Sequence, residues 1–244
     1  MKRKKLLYLI PLALVTLLAL SHLIFIVTVG SQISALKNTN PRTTSLMRLR
    51  SAQYPSRYQP HLNLPLGSIP PDFISAVIYI EDFHFYQHAG FSVDSIKFAL
   101  KLNKRLGYPA YGGSTITQQT ARTLFLNPRK NYFRKYLEIL TAVTMELLLS
   151  KNRILELYLN YAEWGKGVYG IAEASDYYFK KHPGDLTMEE KLALIAIMPS
   201  PLHFNPETFH ESRILGLRYR ALNQFARAVF KITPVFKSEI REMK

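Results

Sequence analysis

The chain has no cysteine, which rules out disulfides, thiolate metal sites and a cysteine nucleophile and leaves the compartment open. It is short of negative charge, with 17 acids against 32 lysines and arginines and a formal net charge of +15. A surplus of that size points to an anionic partner: nucleic acid, anionic lipid or a phosphate-bearing substrate. No alternating run is long enough for a convincing strand, so the expected class is mostly α. A Walker loop is missing too, because no Gly-Lys-Ser/Thr ends the glycine-rich stretch near Gly112 and Gly113. Hydrophobic residues make up 48% of 244 positions, enough for a core in one domain of ordinary size plus an appendage.

One stretch lacks charge altogether. Residues 6–29 contain no Asp, Glu, Lys or Arg, and Lys2, Arg3, Lys4 and Lys5 precede them. A run of this length can cross a hydrocarbon core as a helix. It exceeds the roughly 7–15 apolar residues of a cleaved signal peptide. The expectation is a basic cytoplasmic tail at 1–5, an uncleaved single-pass anchor at 6–29, and the remainder on the outer side. His22 reads as a tolerated polar residue within the span. Removing the four basic residues of the tail leaves +11 on the rest, so anionic lipid head groups are a better partner than nucleic acid.

Beyond the anchor, residues 30–68 read as a proline-punctuated juxtamembrane connector. Asp72, after Pro70 and Pro71, is expected to cap a helix carrying Phe73, Ala76, Val77 and Ile80 and ending near Glu81 and Asp82. Two carboxyls at the end of an apolar segment favour holding a proton, as a general base near neutral pH requires. The pair also fits ordinary capping or ion pairing. Neighbouring helical residues point about 100° apart, so the two acids are expected to differ in role.

A second amphipathic helix is expected over 92–106, ending at Gly107 and Pro109. The loop Gly112-Gly113-Ser114-Thr115-Ile116-Thr117-Gln118-Gln119 then opens another helix, with Ser114 or Thr115 as its cap. It suits an anion or sugar oxygens, and equally an ordinary capped loop. Residues 129–135 place four cations before a helix over 132–149, whose expected buried side is Leu137, Leu140, Val143, Thr144, Leu147 and Leu148. Those cations fit a solvated face or a pyrophosphate site. The helix over 151–161 holds Glu156 among apolar residues, where a carboxylate is paired or catalytic; the segment itself favours pairing. Residues 163–170 form a glycine-marked loop, and Thr187 with Glu190 forms a capping box. A basic amphipathic helix covers 211–230.

In this order and spacing, EDFHFYQHAG, GGSTITQQ, RKYLE and KNRILELYLN resemble glycosyltransferase family 51, the peptidoglycan transglycosylases. No Lys-Thr-Gly occurs, so the likeness is to the monofunctional members, without transpeptidase activity. The resemblance implies a lysozyme-like, mostly α glycosyltransferase domain at 69–206 behind the transmembrane helix, and a basic helical segment at 207–244. It implies polymerisation of lipid II on a growing lipid-linked glycan in the bacterial inner (cytoplasmic) membrane, beside membrane lipids and other cell-wall synthesis or division proteins, with no nucleic acid. Glu81 matches the general base, while Asp82, Phe85, His88 and Gly90 complete its motif and shape the site. Ser114, Thr115, Gln118 and Gln119 match the substrate-lining motif. Arg122 and Thr123 stand where the family has Lys-Asn. Arg134, Lys135 and Glu138 match RKxxE, with Lys130 adding charge. Glu156 matches a second glutamate supporting the pyrophosphate, through a divalent cation (Mg or Mn) or neighbouring cations; no organic cofactor is implied. An apolar subdomain over 100–126 is implied to dip into the bilayer. The rival readings are a lysozyme-like lytic enzyme and a catalytically degenerate scaffold.

Overall fold

The computed structural model describes residues 2–107, 112–127 and 131–231. Ten α-helices occur among the described residues: α1 (Lys2–Ala35), α2 (Ser45–Arg50), α3 (Pro71–Glu81), α4 (Val93–Leu106), α5 (Ile116–Phe125), α6 (Tyr132–Leu148), α7 (Lys151–Tyr161), α8 (Gly170–Phe179), α9 (Met188–Ile197) and α10 (Arg213–Phe230). The glycine-marked loop is a small antiparallel hairpin, β1 (Glu163–Gly165) and β2 (Val168–Tyr169). The class is mostly α.

Local chemistry sets most boundaries. Ser92, Thr115, Asn131, Ser150, Thr187 and Ser212 each cap a helix by accepting from a backbone N–H three residues on. Thr115 with Gln118 and Thr187 with Glu190 close full capping boxes. Gly107, in the left-handed region at φ 78°, ends α4. At α3 the structure moves the expected cap: Pro70 precedes the helix, Pro71 takes its first position, and Asp72 pairs with Lys191 of α9 at 2.7 Å. Proline suits that first position because it has no N–H to leave unpaired.

Helices α7 and α9 form the centre. Ile154, Leu155, Leu157 and Leu159 of α7 are buried with Leu192, Leu194, Ile195 and Ala196 of α9. Helices that are apolar around most of their circumference belong inside. The buried face of α6 differs from the expected one: it is Glu138, Thr141, Ala142, Thr144 and Met145, while Leu147 is 80% exposed. The helix is turned so that Glu138 points inward. Gly90, at φ 95°, lies so close to α6 that an added Cβ would stand 3.0 Å from the Ala142 backbone.

Residues Leu12–Ala35 of α1 are long and apolar enough to cross a membrane. The helix continues past the expected end at 29 and packs on α6, with His22 edge-on to Tyr136 at 5.6 Å. The expected connector is bound to the helical body. Tyr58 donates to Asp176 (2.7 Å), His61 meets Glu173 (2.5 Å), and Asn160 exchanges two hydrogen bonds with the Leu64 backbone. Of the expected apolar subdomain at 100–126, residues 108–111 lie outside the described residues; exposed apolar side chains occur at its first residue, Leu100, before it at Phe83, Tyr86, Phe91, Val93 and Phe98, and after it at Tyr132 and Phe133. Helix α5 is instead mostly interior, with Ile116, Ala121 and Leu124 buried, because it carries the site.

Candidate active site

Glu81 is the last residue of α3, and Asp82 is its C-cap. Carboxylates oppose the helix dipole there, and each is met by a different set of donors. One oxygen of Glu81 pairs with the Arg218 guanidinium of α10, and the other accepts from Gln119 Nε2 at 2.8 Å. Gln119 in turn accepts from the Tyr158 hydroxyl at 3.2 Å. Burial first, then the nearby Glu81 charge, pushes the Tyr158 phenol well above its ordinary pKa, so it remains a donor. Asp82 is turned the other way. Its Oδ2 accepts from His88 Nε2 at 2.8 Å and from the Ile116 backbone N–H at 3.0 Å, which ties this motif to the start of α5. His88 Nδ1 accepts from Gly90 N–H (3.2 Å), and Phe85 is wholly buried beside them.

Thr115 and Gln118, expected to line substrate, are buried instead. Thr115 Oγ1 donates to Gly90 O at 2.7 Å and accepts from Gln118 N–H, while Gln118 Oε1 accepts from Thr115 N–H. Thr115 Oγ1 and Gln118 Oε1 satisfy unpaired donors of a helix start, while Gln118 Nε2 is buried without a hydrogen-bond partner. Ser114 and Gln119 remain available: Ser114 Oγ accepts from Lys135 Nζ at 2.8 Å.

The second cluster centres on Glu138, which is fully buried. Its carboxylate pairs with Arg134, with Lys135 Nζ at 2.6 Å, and with Arg122 Nη1 at 3.9 Å. One negative charge against three positive ones leaves a surplus of two, and Arg122 and Lys135 are each 35% exposed. That surplus suits a pyrophosphate. Lys130 lies outside the described residues.

A cavity of about 410 Å³ is lined by Gln119 and Tyr158, which belong to the first cluster, by Arg122 and Arg134, which belong to the second, and by Thr123. Arg50 and Glu163 line it as well.

Like Glu81, Glu138 and Lys135, Glu156 is not itself among the residues lining this cavity, and none of its partners lines it either. Its carboxylate pairs with Arg153 and accepts from Leu66 N–H at 2.8 Å. Arg153 also donates to Leu36 O and Thr39 O, so the group fastens residues 36–66 to α7. The structure places Glu156 in the pairing that the segment itself favoured, while Glu138 is the carboxylate that stands among the cations. Among the described residues no three His, Asp or Glu side chains converge, and Glu138 already faces three cations.

Sequence reasoning missed Arg218, Tyr158, Arg50 and Glu163. None of the four had a signal in the spacing around it.

Residues 49–225 match the family described as Transglycosylase. A biosynthetic peptidoglycan transglycosylase of Paraburkholderia xenovorans (strain LB400) is 40% identical over 201 residues, covering 78% of this chain and 83% of its own length. One from Azoarcus sp. (strain BH72) is 39% identical over 195 residues (76% and 84%), and one from Neisseria gonorrhoeae is 39% identical over 168 residues (67% and 72%). With a matched segment that spans both clusters and the cavity, the chain belongs to the transglycosylase family, of lysozyme-like glycosyltransferase fold.

Proposed function

We propose that the chain polymerises lipid II into peptidoglycan glycan strands by inverting glycosyl transfer. The observation that carries this reading is a cavity lined by Gln119, which holds the Glu81 carboxylate, and by Arg122 and Arg134 of the cationic cluster. Glu81 takes the proton from the 4-hydroxyl of the acceptor sugar. That oxygen bonds to the anomeric carbon of the growing glycan from the face opposite the leaving group. The bond from carbon to pyrophosphate oxygen breaks, and its electron pair stays on the departing lipid pyrophosphate. Arg122, Lys135 and Arg134 neutralise this charge, so the leaving group needs no proton and one base suffices. A glycosidase, by contrast, needs two carboxyls.

Both oxygens of Glu81 have partners, yet a carboxylate offers about four acceptor positions. Gln119 and Arg218 can therefore hold its orientation while a lone pair meets the hydroxyl. Glu156, His88 and Asp82 serve architecture. The basic residues 2–5 hold the N-terminus on the cytoplasmic side and place the cavity on the outer side, where lipid pyrophosphate enters from the leaflet.

The test offers the full-length protein lipid II in vesicles and, separately, finished glycan. Polymer from the first and none from Glu81→Gln is expected; soluble fragments from the second would establish a lytic enzyme instead.

A further inference from the structure

Across the cavity from the Glu138 cluster stands a charged pair that the mechanism above does not use. Arg50 ends α2, and Glu163 begins β1. Their closest approach is Nε to Oε1 at 3.1 Å, with Nη2 to Oε2 at 3.3 Å. The closer contact is too poorly aligned to be a hydrogen bond, leaving Arg50 Nε and Glu163 Oε1 without one. The side chains are 24% and 11% exposed, and both line the cavity. Burial raises the Glu163 carboxyl above its usual range despite the pull of Arg50.

The placement of Arg50 is elaborate. Leu46, one turn earlier, lines the same cavity. Arg57 N–H donates to Gly167 O at 3.1 Å, and Gly167, at φ 73°, admits the Pro55 carbonyl where a Cβ would collide. This fastens residues 50–57 to the hairpin that carries Glu163.

We propose that Arg50 and Glu163 form a subsite for a secondary amide of the substrate. The guanidinium donates to the amide carbonyl, and the carboxylate accepts from its N–H. The pair is neutral overall, so it does not select an anion as the Glu138 cluster does. It offers one donor face and one acceptor face, the complement of an amide. Its slack geometry gives an inserted amide better hydrogen bonds than the pair makes with itself. The inference rests on the lipid II reading, whose substrate carries amides in its acetamido sugars and in its peptide stem.

The experiment measures polymerisation by the full-length protein with lipid II, with an analogue lacking the peptide stem, and with one bearing amines for acetamido groups. A wild type inactive on lipid II would overturn the functional reading itself. With an active wild type, Arg50→Met is expected to raise KM about tenfold while kcat stays within about twofold, the mark of lost binding rather than lost chemistry. An unchanged KM overturns the subsite. The double variant Arg50→Glu/Glu163→Arg separates binding from stapling, because the swap rebuilds the ion pair and exchanges donor and acceptor. Recovery of Tm without recovery of KM supports the subsite; recovery of both overturns it. The analogues identify the source. If the acetamido group is bound, losing it costs the wild type about tenfold and Arg50→Met little; if the stem is bound, its removal does so. Equal losses in the two proteins with both analogues overturn the proposal.

Discussion

Glu81 and Glu138 are both carboxylates with donors that line one cavity, and their surroundings divide the work between them. Glu81 has one cation and one neutral amide as donors. Its charge is held in place, with acceptor capacity left over for a hydroxyl proton. Glu138 faces three cations and has no exposed surface. It gathers more positive charge than it cancels. On the proposed reading the same side chain acts as a base where donors are few and as an organiser of cations where they are many. Burial alone separates nothing here; the donor count does.

The comparison breaks most sharply at Glu81. Glu81→Gln keeps the shape and removes the base, so polymerisation should fall by about 10²–10⁴. Thermal unfolding should drop only modestly, since the Gln carbonyl still accepts from Arg218 and a hydrogen bond to a charged group is worth about 1.5–3 kcal/mol. A turnover assay with a melting curve on the same sample checks both. Activity above a tenth of the parent would remove Glu81 from its role. Glu138→Gln should reverse the emphasis. Leaving buried cations without their carboxylate costs about 3–5 kcal/mol, a loss of roughly 6–20 °C in Tm at this chain length. If Glu138→Gln melts like the parent, the cluster is not held by that carboxylate.

Arg122→Ala tests the surplus itself. Arg122 is the most distant of the three cations, at 3.9 Å, and partly exposed. Its loss should leave Glu138 paired and the fold intact, while turnover of lipid II falls about tenfold, the effect of one charge-assisted contact. Arg122→Lys should recover part of this, because it restores charge without the fork. Kinetics indifferent to both changes would detach Arg122 from the pyrophosphate.

Much of this arrangement was legible in the residues. Periodicity and capping chemistry are local, so α4, α6, α7 and α10 fell within a residue or two of their expected limits, and the capping box at Thr187 was read as it stands. Glu81 and the RKxxE cations were reached through motif order. What escaped was long-range. Arg218 lies 137 positions from Glu81, and nothing in the spacing around α10 announces which helix it will face. The same holds for Glu156, whose partners include carbonyls of the segment leaving α1 by way of Arg153. Thr115 and Gln118 were misread for a subtler reason. A donor-rich loop at a helix start looks alike whether its polar atoms serve a ligand or the helix, and only burial decides.

The smallest expected effect concerns a carboxylate away from the cavity, where the same donor-count argument predicts little. Glu190 of α9 meets Lys181 at 2.7 and 3.0 Å and accepts from Thr187 N–H at 2.8 Å. Burial by itself would raise its pKa, but Lys181 and the Thr187 backbone outweigh that and hold it below the ordinary carboxylate value. A group depressed in this way stabilises the fold above its unfolded value, and the contribution disappears as pH falls through the folded one. Glu190→Gln keeps the capping box, since glutamine serves at that position, and removes only the charge. Because the pair is partly exposed and screened by solvent, the loss should be about 0.5 kcal/mol at neutral pH. Melting curves of the two proteins should therefore differ slightly at pH 7 and converge once the pH drops below the ordinary carboxylate range. A gap that persists in acid would mean that Glu190 stabilises α9 through packing or its hydrogen bonds, with its charge contributing nothing.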